Sequence, residues 1–492
     1  MSELRAPQYD HWYGYDEMTA YLREAAEACA GRCRLHTLGQ TPEGREIWML
    51  EVADEGGGPV EVRPAYFVHA NIHAKEVAGT TSSLRLIHDL LSGAADYVDL
   101  GELLREVVFY VVPRLNPDGA EFALTTGANI RSRTDERIEP NCLVREDLDG
   151  DGFVLEMRIE RPDGQWKASA DDPRIMLPRE ATDSDGPFYA VMPEGMVHEW
   201  DGGEVRTACA RSHDFNRNWP ANWHQEHEQG GAGDYPFSEP EMRALADFVY
   251  AHPNIFGILG FHCGSSAVLM PPSTGTLESI LPADRKVFEE LGKRAAELTG
   301  LTLLPTIEYR SADSPPASLK GHSGDWGYLH MGLFHFEIEQ GNVYNAAGVK
   351  TEDFFAADEA ERHLFMRDAM RYHDEHRDHG MFVDWHEFDH PQLGRVEIGG
   401  WKQYWMINPS FEELRETIAP GSARFIIEHA ARRPRLVIAD AAAEAVGEGI
   451  YRVRARVMND GALPTNITQR ALSLRSLQPV SVELEAGEGV EV

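Results

Sequence analysis

Short apolar runs alternate with helical periodicities along most of the chain, and that alternation narrows the fold more than any other feature. Glu46 to Val52, Ala65 to His69, Val107 to Val112, Ile255 to Phe261 and Leu333 to Glu339 read as strands. Met18, Leu22, Ala25, Ala26 and Cys29 recur at helical spacing, and a second helix follows Lys75 through Leu84, Ile87 and Leu91. Ser238 with Glu241 three residues on predicts a capped helix through Leu245 and Val249. Further helices are expected from about Asp284 and from about Glu352 to His376. The pattern predicts an α/β fold: a mixed, mostly parallel sheet covered by helices on both faces.

From about Arg137 to Ala208 the alternation gives way to Pro, Gly and Asp, with two strand-like pieces about the turn Pro162, Asp163, Gly164. Structureless loops beyond ~15 residues are uncommon, so this stretch reads as a surface insertion. After residue 380 the character changes again. Tyr451, Val453, Ala455 and Val457 alternate with Arg452, Arg454 and Arg456, and Asn459, Asp460, Gly461 supply a turn. The expected organisation is a catalytic domain over 1–380 with an insertion at 137–208, a connecting segment at 381–430, and a small all-β, sandwich-like domain over 431–492.

With 81 Asp and Glu against 46 Lys and Arg, the net charge is 46 − 81 = −35, the opposite of the basic face that nucleic acid requires. No signal-peptide pattern and no membrane-spanning apolar run is evident, so a cytoplasmic protein with neither nucleic-acid nor membrane partners is expected. Cys29, Cys33, Cys142, Cys209 and Cys263 are few and odd in number, and read as reduced thiols. Oligomeric state is not readable.

Chemistry concentrates at three places. His73 and Glu76 directly follow the strand Ala65 to His69, and His262 ends the strand Ile255 to Phe261; the carboxyl ends of such strands open onto ligand-binding crevices. Two imidazoles and a carboxylate make a three-ligand zinc set with one position open for water. Glu337 and Glu339 lie two apart in an otherwise apolar strand, share a face, and are both candidate general bases.

These residues, taken with Pro42, Glu43, Gly44, Arg45, with Asn116, Pro117, Asp118, Gly119 and with Arg131, resemble the zinc carboxypeptidases of the pancreatic A and B type. The likeness continues through Asp214, Phe215, Asn216, Arg217, Asn218, Trp219, then Tyr235 to Glu241, Asp325, Trp326, and Phe336 to Gly341, covering most of residues 9 to 378. The resemblance implies one zinc held by His73, Glu76 and His262, and a peptide substrate with a free C-terminal carboxylate. It implies Glu339 as the general base, ahead of Glu337. Asn216 and Arg217 would grip the terminal carboxylate, Arg131 would stabilise the oxyanion, and Asp214 would orient His73. Arg133 and Arg137 are neighbours able to replace Arg131 in that assignment.

The sequence departs from the family where a substrate-covering tyrosine belongs: that stretch reads Ser314, Pro315, Pro316, Ala317, Ser318, leaving Tyr309 or His322 to serve. Gly324 takes the position that often sets preference for the terminal residue and supplies no charge. His386, Glu387 and His390 fit an HExxH pattern that requires a helix, which Pro391 disfavours. Asp147, Asp149 and Asp151 with Gly152 match the first half of a calcium loop, but Arg158 stands where its last ligand belongs. Asn466, Ile467, Thr468 form a glycosylation sequon, without weight in a chain that shows no export signal. Two other readings stay open: an amidase or deacylase on the same fold acting on small N-acyl amino acids, and a catalytically idle binding protein.

Overall fold

The computed structural model describes residues 4–93, 95–135, 139–207, 209–309, 319–475 and 479–485; Arg137, Ala208 and Ser314 to Ser318 lie outside them. The central sheet has eight strands in the order Cys33–Gln40, Glu46–Val52, Val108–Val112, Ala65–Ala70, Ile255–His262, Phe334–Gln340, Ser266–Met270 and Thr302–Pro305. From Val108–Val112 to Phe334–Gln340 the neighbours run parallel. Antiparallel pairs attach the strands on either side, so the mixed sheet expected from the pattern is the one that forms.

Every residue of Ile255–His262 and of Phe334–Gln340 is buried, which requires cover on both faces. Helices Ala78–Ser92, Pro282–Thr299 and Ala419–Ala431 pack one face through Leu84, Ile87, Phe288, Leu291, Phe425 and Ile426. Helices Pro240–Ala251 and Ser323–Leu329 pack the other through Met242, Leu245, Val249 and Trp326. Each fully buried Leu, Ile or Phe contributes roughly 1.5–3 kcal/mol, so these faces hold the sheet that positions the site.

The capping box expected at Ser238 does not form. The helix starts at Pro240 with Glu239 as its cap residue, and Ser238 Oγ instead donates to Glu239 Oε1 at 2.9 Å. Proline at the first helical position needs no N–H partner, which lets the start shift. Glu241 is left fully buried with neither carboxylate oxygen hydrogen-bonded, and burial pushes its carboxyl up to about 7. The unfolded chain releases this proton near 4.5, so Glu241 costs stability as pH rises from there through 7. Glu241→Gln is therefore expected to stabilise the protein by about 2–3 kcal/mol at pH 8 and to change little at pH 4. Thermal melts of both proteins at the two pH values check this; an equal shift at both would reject the burial argument.

The helix expected from Glu352 to His376 is two helices, Thr351–Ala356 and Glu359–Glu375, because Asp358 and Glu361 form a capping box that starts the second afresh. Residues 137–208 and 381–430 are joined rather than separate. Strands Phe382–His390 and Gly394–Trp401 pair with Glu156–Glu160, Phe188–Pro193, Trp166–Ala168 and Met176–Pro178 in one six-stranded antiparallel sheet. Ala419–Ala431, in the segment expected to be a connection, is part of the core. His386 and His390 lie on the first of these strands, where residues four apart stand about 13 Å from each other, too far to share a metal.

Two cysteines expected as free thiols form a disulfide, Cys142 to Cys209, spanning 67 residues with Cα atoms 5.8 Å apart. The pairing of Leu143–Arg145 with Gly195–Val197, and of Cys142 with Arg206, folds the insertion back so that its two ends meet. In 431–492 the sheet found among the described residues is the hairpin Leu436–Gly447 with Ile450–Asn459, rather than two packed sheets. Its turn lies at Glu448 and Gly449, where Gly449 has φ +71°, and not at Asn459 to Gly461. Among the described residues no helix is long and apolar enough to cross a membrane.

Candidate active site

Asn71, just past the strand Ala65–Ala70, has φ 55°, a left-handed conformation that asparagine tolerates, and its amide donates to the His73 carbonyl at 2.6 Å. This sharp turn sets His73 and Glu76 over the end of the sheet. His262 arrives from the neighbouring strand Ile255–His262. His73 Nδ1, His262 Nδ1 and the Glu76 carboxylate converge, with all ligand atoms within 4.8 Å of one another. The two Nδ1 atoms are 3.3 Å apart; Glu76 Oε1 is 2.8 Å from the first and Oε2 is 3.1 Å from the second. All three residues are buried.

Two imidazole nitrogens and a carboxylate facing one another form a cluster of lone pairs with few protons to share, the arrangement a cation satisfies. Two nitrogens and one oxygen are the donor set of a three-ligand zinc site. The ring tautomers agree, since His73 Nε2 lies 3.1 Å from Asp214 Oδ1, which holds its proton and turns Nδ1 inward. Burial alone would lower the basicity of His262, but Glu337 and Glu76 outweigh it and raise its ring to about 10. Burial works against ionisation of Glu76 too, yet His73 and His262 hold its carboxyl well below the usual carboxylate range. The site thus demands positive charge.

Register separates the two candidate bases. His262 pairs with Glu339 and Gly260 with Glu337 across the parallel ladder, so Glu339 lies level with the metal ligand and Glu337 one step deeper. Glu339 Oε2 is buried with no hydrogen-bond partner, and burial followed by the charge of Glu76 pushes its carboxyl well up. Glu337 is fully engaged. Its carboxylate accepts from Ser323 Oγ and from Asn216 Nδ2 at 3.4 Å, and lies 3.2 Å from His322 Nε2. Burial opposes its charge, but His322 and His262 keep its carboxyl well below the usual range.

Among the arginines, Arg131 is drawn onto the site by Asp214 at 2.9 Å and Glu76 at 3.0 Å. Arg133 turns away to Glu239 at 2.6 Å, which removes it as a substitute. Arg217 follows Asn216 in the turn Phe215–Arg217, donates from Nη1 to the Asn216 carbonyl at 2.7 Å, and pairs with no carboxylate among the described residues. Burial lowers its pKa despite the opposing pull of Asp214. A half-buried guanidinium without a carboxylate partner is a receptor for an anion. The Asn216 amide is partly spent, its Oδ1 accepting from Ser323 N at 2.9 Å and its Nδ2 lying 3.2 Å from His322 Nε2.

His322 caps the helix Ser323–Leu329, its Nδ1 accepting from Gly324 N at 3.3 Å while Nε2 faces Glu337, so both ring nitrogens are in use. Tyr309 stands closer to the chemistry. A Cβ placed on Gly264 would meet Tyr309 Oη at 3.4 Å and Glu339 Oε2 at 3.6 Å, so the bare glycine, at φ +135°, leaves the two groups facing one gap. Ser323 also belongs to the site, and its only mark in the sequence is its place two residues before Asp325. The Asp-rich turn closes on itself: Asp147 accepts from Gly150 N and Gly152 N, Asp149 from Asp151 N, and Asp151 from Phe153 N. Asp149 Oδ2 also meets His386 Nε2 at 2.8 Å. Asp147 and Asp149 gather with Glu194, without Asp151, and Glu194 accepts from Leu148 N and Leu155 N. Backbone donors engage each of these carboxylates, His386 faces the remaining oxygen of Asp149, and calcium is not supported there.

A buried metal cradle at the carboxyl ends of parallel strands, beside an unpartnered carboxyl and an arginine awaiting an anion, is the working geometry of a metallohydrolase. Residues 18–356 match the family Zinc carboxypeptidase, and the chain belongs to it, a metallocarboxypeptidase-type hydrolase. Residues 435–492 match a domain of unknown function, DUF8731. Carboxypeptidase B of Astacus astacus is 24% identical over 330 residues, which are 67% of this chain and 86% of that protein. Carboxypeptidase D of Mus musculus is 30% identical over 115 residues, 23% of this chain and 8% of that much longer protein. The solved carboxypeptidase A of Helicoverpa armigera aligns at 17% identity and a TM-score of 0.46, covering 74% of each chain.

Proposed function

We propose that this protein hydrolyses the C-terminal peptide bond of peptides, with His73, Glu76 and His262 holding one zinc ion and Glu339 as general base. The observation that carries the reading is the register of His262 with Glu339, which sets an unpartnered, buried carboxyl beside the three-ligand cradle. Zinc supplies a Lewis acid that polarises a carbonyl and acidifies water. The rest belongs to this chain. Glu339, its pKa raised by burial, takes the proton of the attacking water at its carboxylate and passes it to the leaving amine. Arg131 offers its guanidinium to the developing oxyanion. Arg217, with Asn216 beside it, receives the terminal carboxylate and so fixes which bond lies over Glu339. Asp214 holds His73 in its tautomer and Arg131 in place. Tyr309, facing the same gap as Glu339, is the residue placed to close over the substrate.

The Cys142 to Cys209 disulfide favours an oxidising compartment over the reducing cytoplasm as the place of work. The test of the reaction is product analysis on a mixed peptide library with and without chelator. Release of single C-terminal residues that stops on zinc removal is expected. Cleavage of N-acyl amino acids with peptides left intact would replace the reading by an amidase, and no turnover at all would reject it.

A further inference from the structure

Glu337, the other candidate base, lies one step deeper in the ladder than the metal ligand. Its carboxylate instead joins parts of the site that come from three separate elements. On one side it lies 3.6 Å from His262 Nε2, the ring nitrogen turned away from the metal cradle. On the other it accepts from Asn216 Nδ2 at 3.4 Å, in the turn that also carries Arg217. From above, His322 Nε2 at 3.2 Å and the Ser323 hydroxyl bind it, both at the start of the helix Ser323–Leu329. Ser323 in turn donates its backbone N–H to Asn216 Oδ1 at 2.9 Å.

Glu337 is buried within the strand Phe334–Gln340. Gly260 is its ladder partner in the adjacent strand, and a Cβ there would stand 3.6 Å from Glu337 Cγ and 2.8 Å from the His69 ring. A buried carboxylate in a strand that is otherwise apolar apart from His335, Glu339 and Gln340 is not there for packing; an aliphatic residue would fill the space without needing four polar neighbours. No other carboxylate among the described residues reaches the outward nitrogen of His262. The inference rests on the proposed reading of the cradle and of Arg217.

We propose that Glu337 is a positioning residue that couples the metal site to the carboxylate clamp: it orients His262 for the metal and, through Asn216, sets the turn that presents Arg217. Removing its charge should therefore damage two properties that a packing residue, or a residue serving one of them, would not move together.

The experiment uses the full chain stripped of metal. Zinc affinity is measured by calorimetric titration of the metal alone, and KM and kcat are measured at saturating zinc on a blocked dipeptide with a free carboxylate. For Glu337→Gln, zinc affinity is expected to fall about 10- to 100-fold, the usual cost of losing the partner that orients a ligand. KM should rise about tenfold while kcat changes by less than about threefold, the signature of lost binding rather than lost chemistry. His322→Gln, which touches the clamp side and not His262, should raise KM and leave zinc affinity within about twofold. If Glu337→Gln does not fold, as judged by its melt, Glu337→Asp is read on the same two measurements, with smaller losses in both expected. Loss of zinc affinity with unchanged KM, raised KM with unchanged zinc affinity, or neither change overturns the coupling. A wild-type chain that takes up no zinc overturns the reading of the cradle as well, and is told apart because it shows without any substitution.

Discussion

Glu339→Gln should lower kcat by about a thousandfold while leaving zinc affinity and KM close to those of the wild type, since general acid–base groups contribute roughly 10²- to 10⁴-fold. Glutamine keeps the shape of the side chain and its place in the ladder opposite His262, but it cannot accept the proton of water. The wild-type carboxyl sits buried with one oxygen unpartnered and its pKa raised, so it is a group prepared to take up and release a proton. Steady-state kinetics with metal analysis of the same preparation decide the matter. Turnover near the wild-type rate would move the base elsewhere, and loss of zinc would show that Glu339 is a ligand.

Arg217→Ala comes second in size, with an expected loss on the order of 100-fold in kcat/KM, carried mostly by KM. A charge-assisted fork to a carboxylate is worth about 3 kcal/mol when desolvated. Arg217→Lys should recover only part, because lysine keeps the charge and loses the planar geometry. The sharper measurement compares a peptide with its C-terminal amide. The wild type should favour the free acid strongly, and Arg217→Ala should bring the two rates together. An unchanged acid-to-amide ratio would mean that the terminal carboxylate is bound by another group.

Much of the site was legible before folding because its chemistry sits at the ends of strands. Glu46–Val52 has the bounds read from the sequence, and Ala65–Ala70, Ile255–His262 and Phe334–Gln340 differ by a residue or so at an end. A continuous apolar run bounded by polar residues leaves the chain little choice. His73, Glu76 and His262 follow such runs, so reading the strands nearly placed the ligands. What was hidden depends on pairing at a distance. Nothing local to Glu337 and Glu339 tells which of them is level with His262; the ladder does. Arg131 and Arg133 are both plausible until Glu239, far along the chain, claims the latter. Cys142 and Cys209 look like unrelated thiols because the strands that bring them together are each only a few residues long. The Ser238 cap failed for a local reason, as the proline at 240 offered an equally good start one step later.

The six-stranded sheet bears on how the chain is made. Two of its neighbouring strands, Glu156–Glu160 and Gly394–Trp401, are separated by most of the catalytic unit, so one edge cannot be completed until the ribosome has passed residue 401. Until then the strands of the insertion carry an unpaired edge, and long-range antiparallel pairing of this kind is slow and exposed to aggregation. The Cys142 to Cys209 crosslink can close well before the partner strands emerge, since both thiols belong to the earlier segment. It shortens the free loop the nascent chain must search, and so holds the insertion compact while it waits for the strands that will cover it.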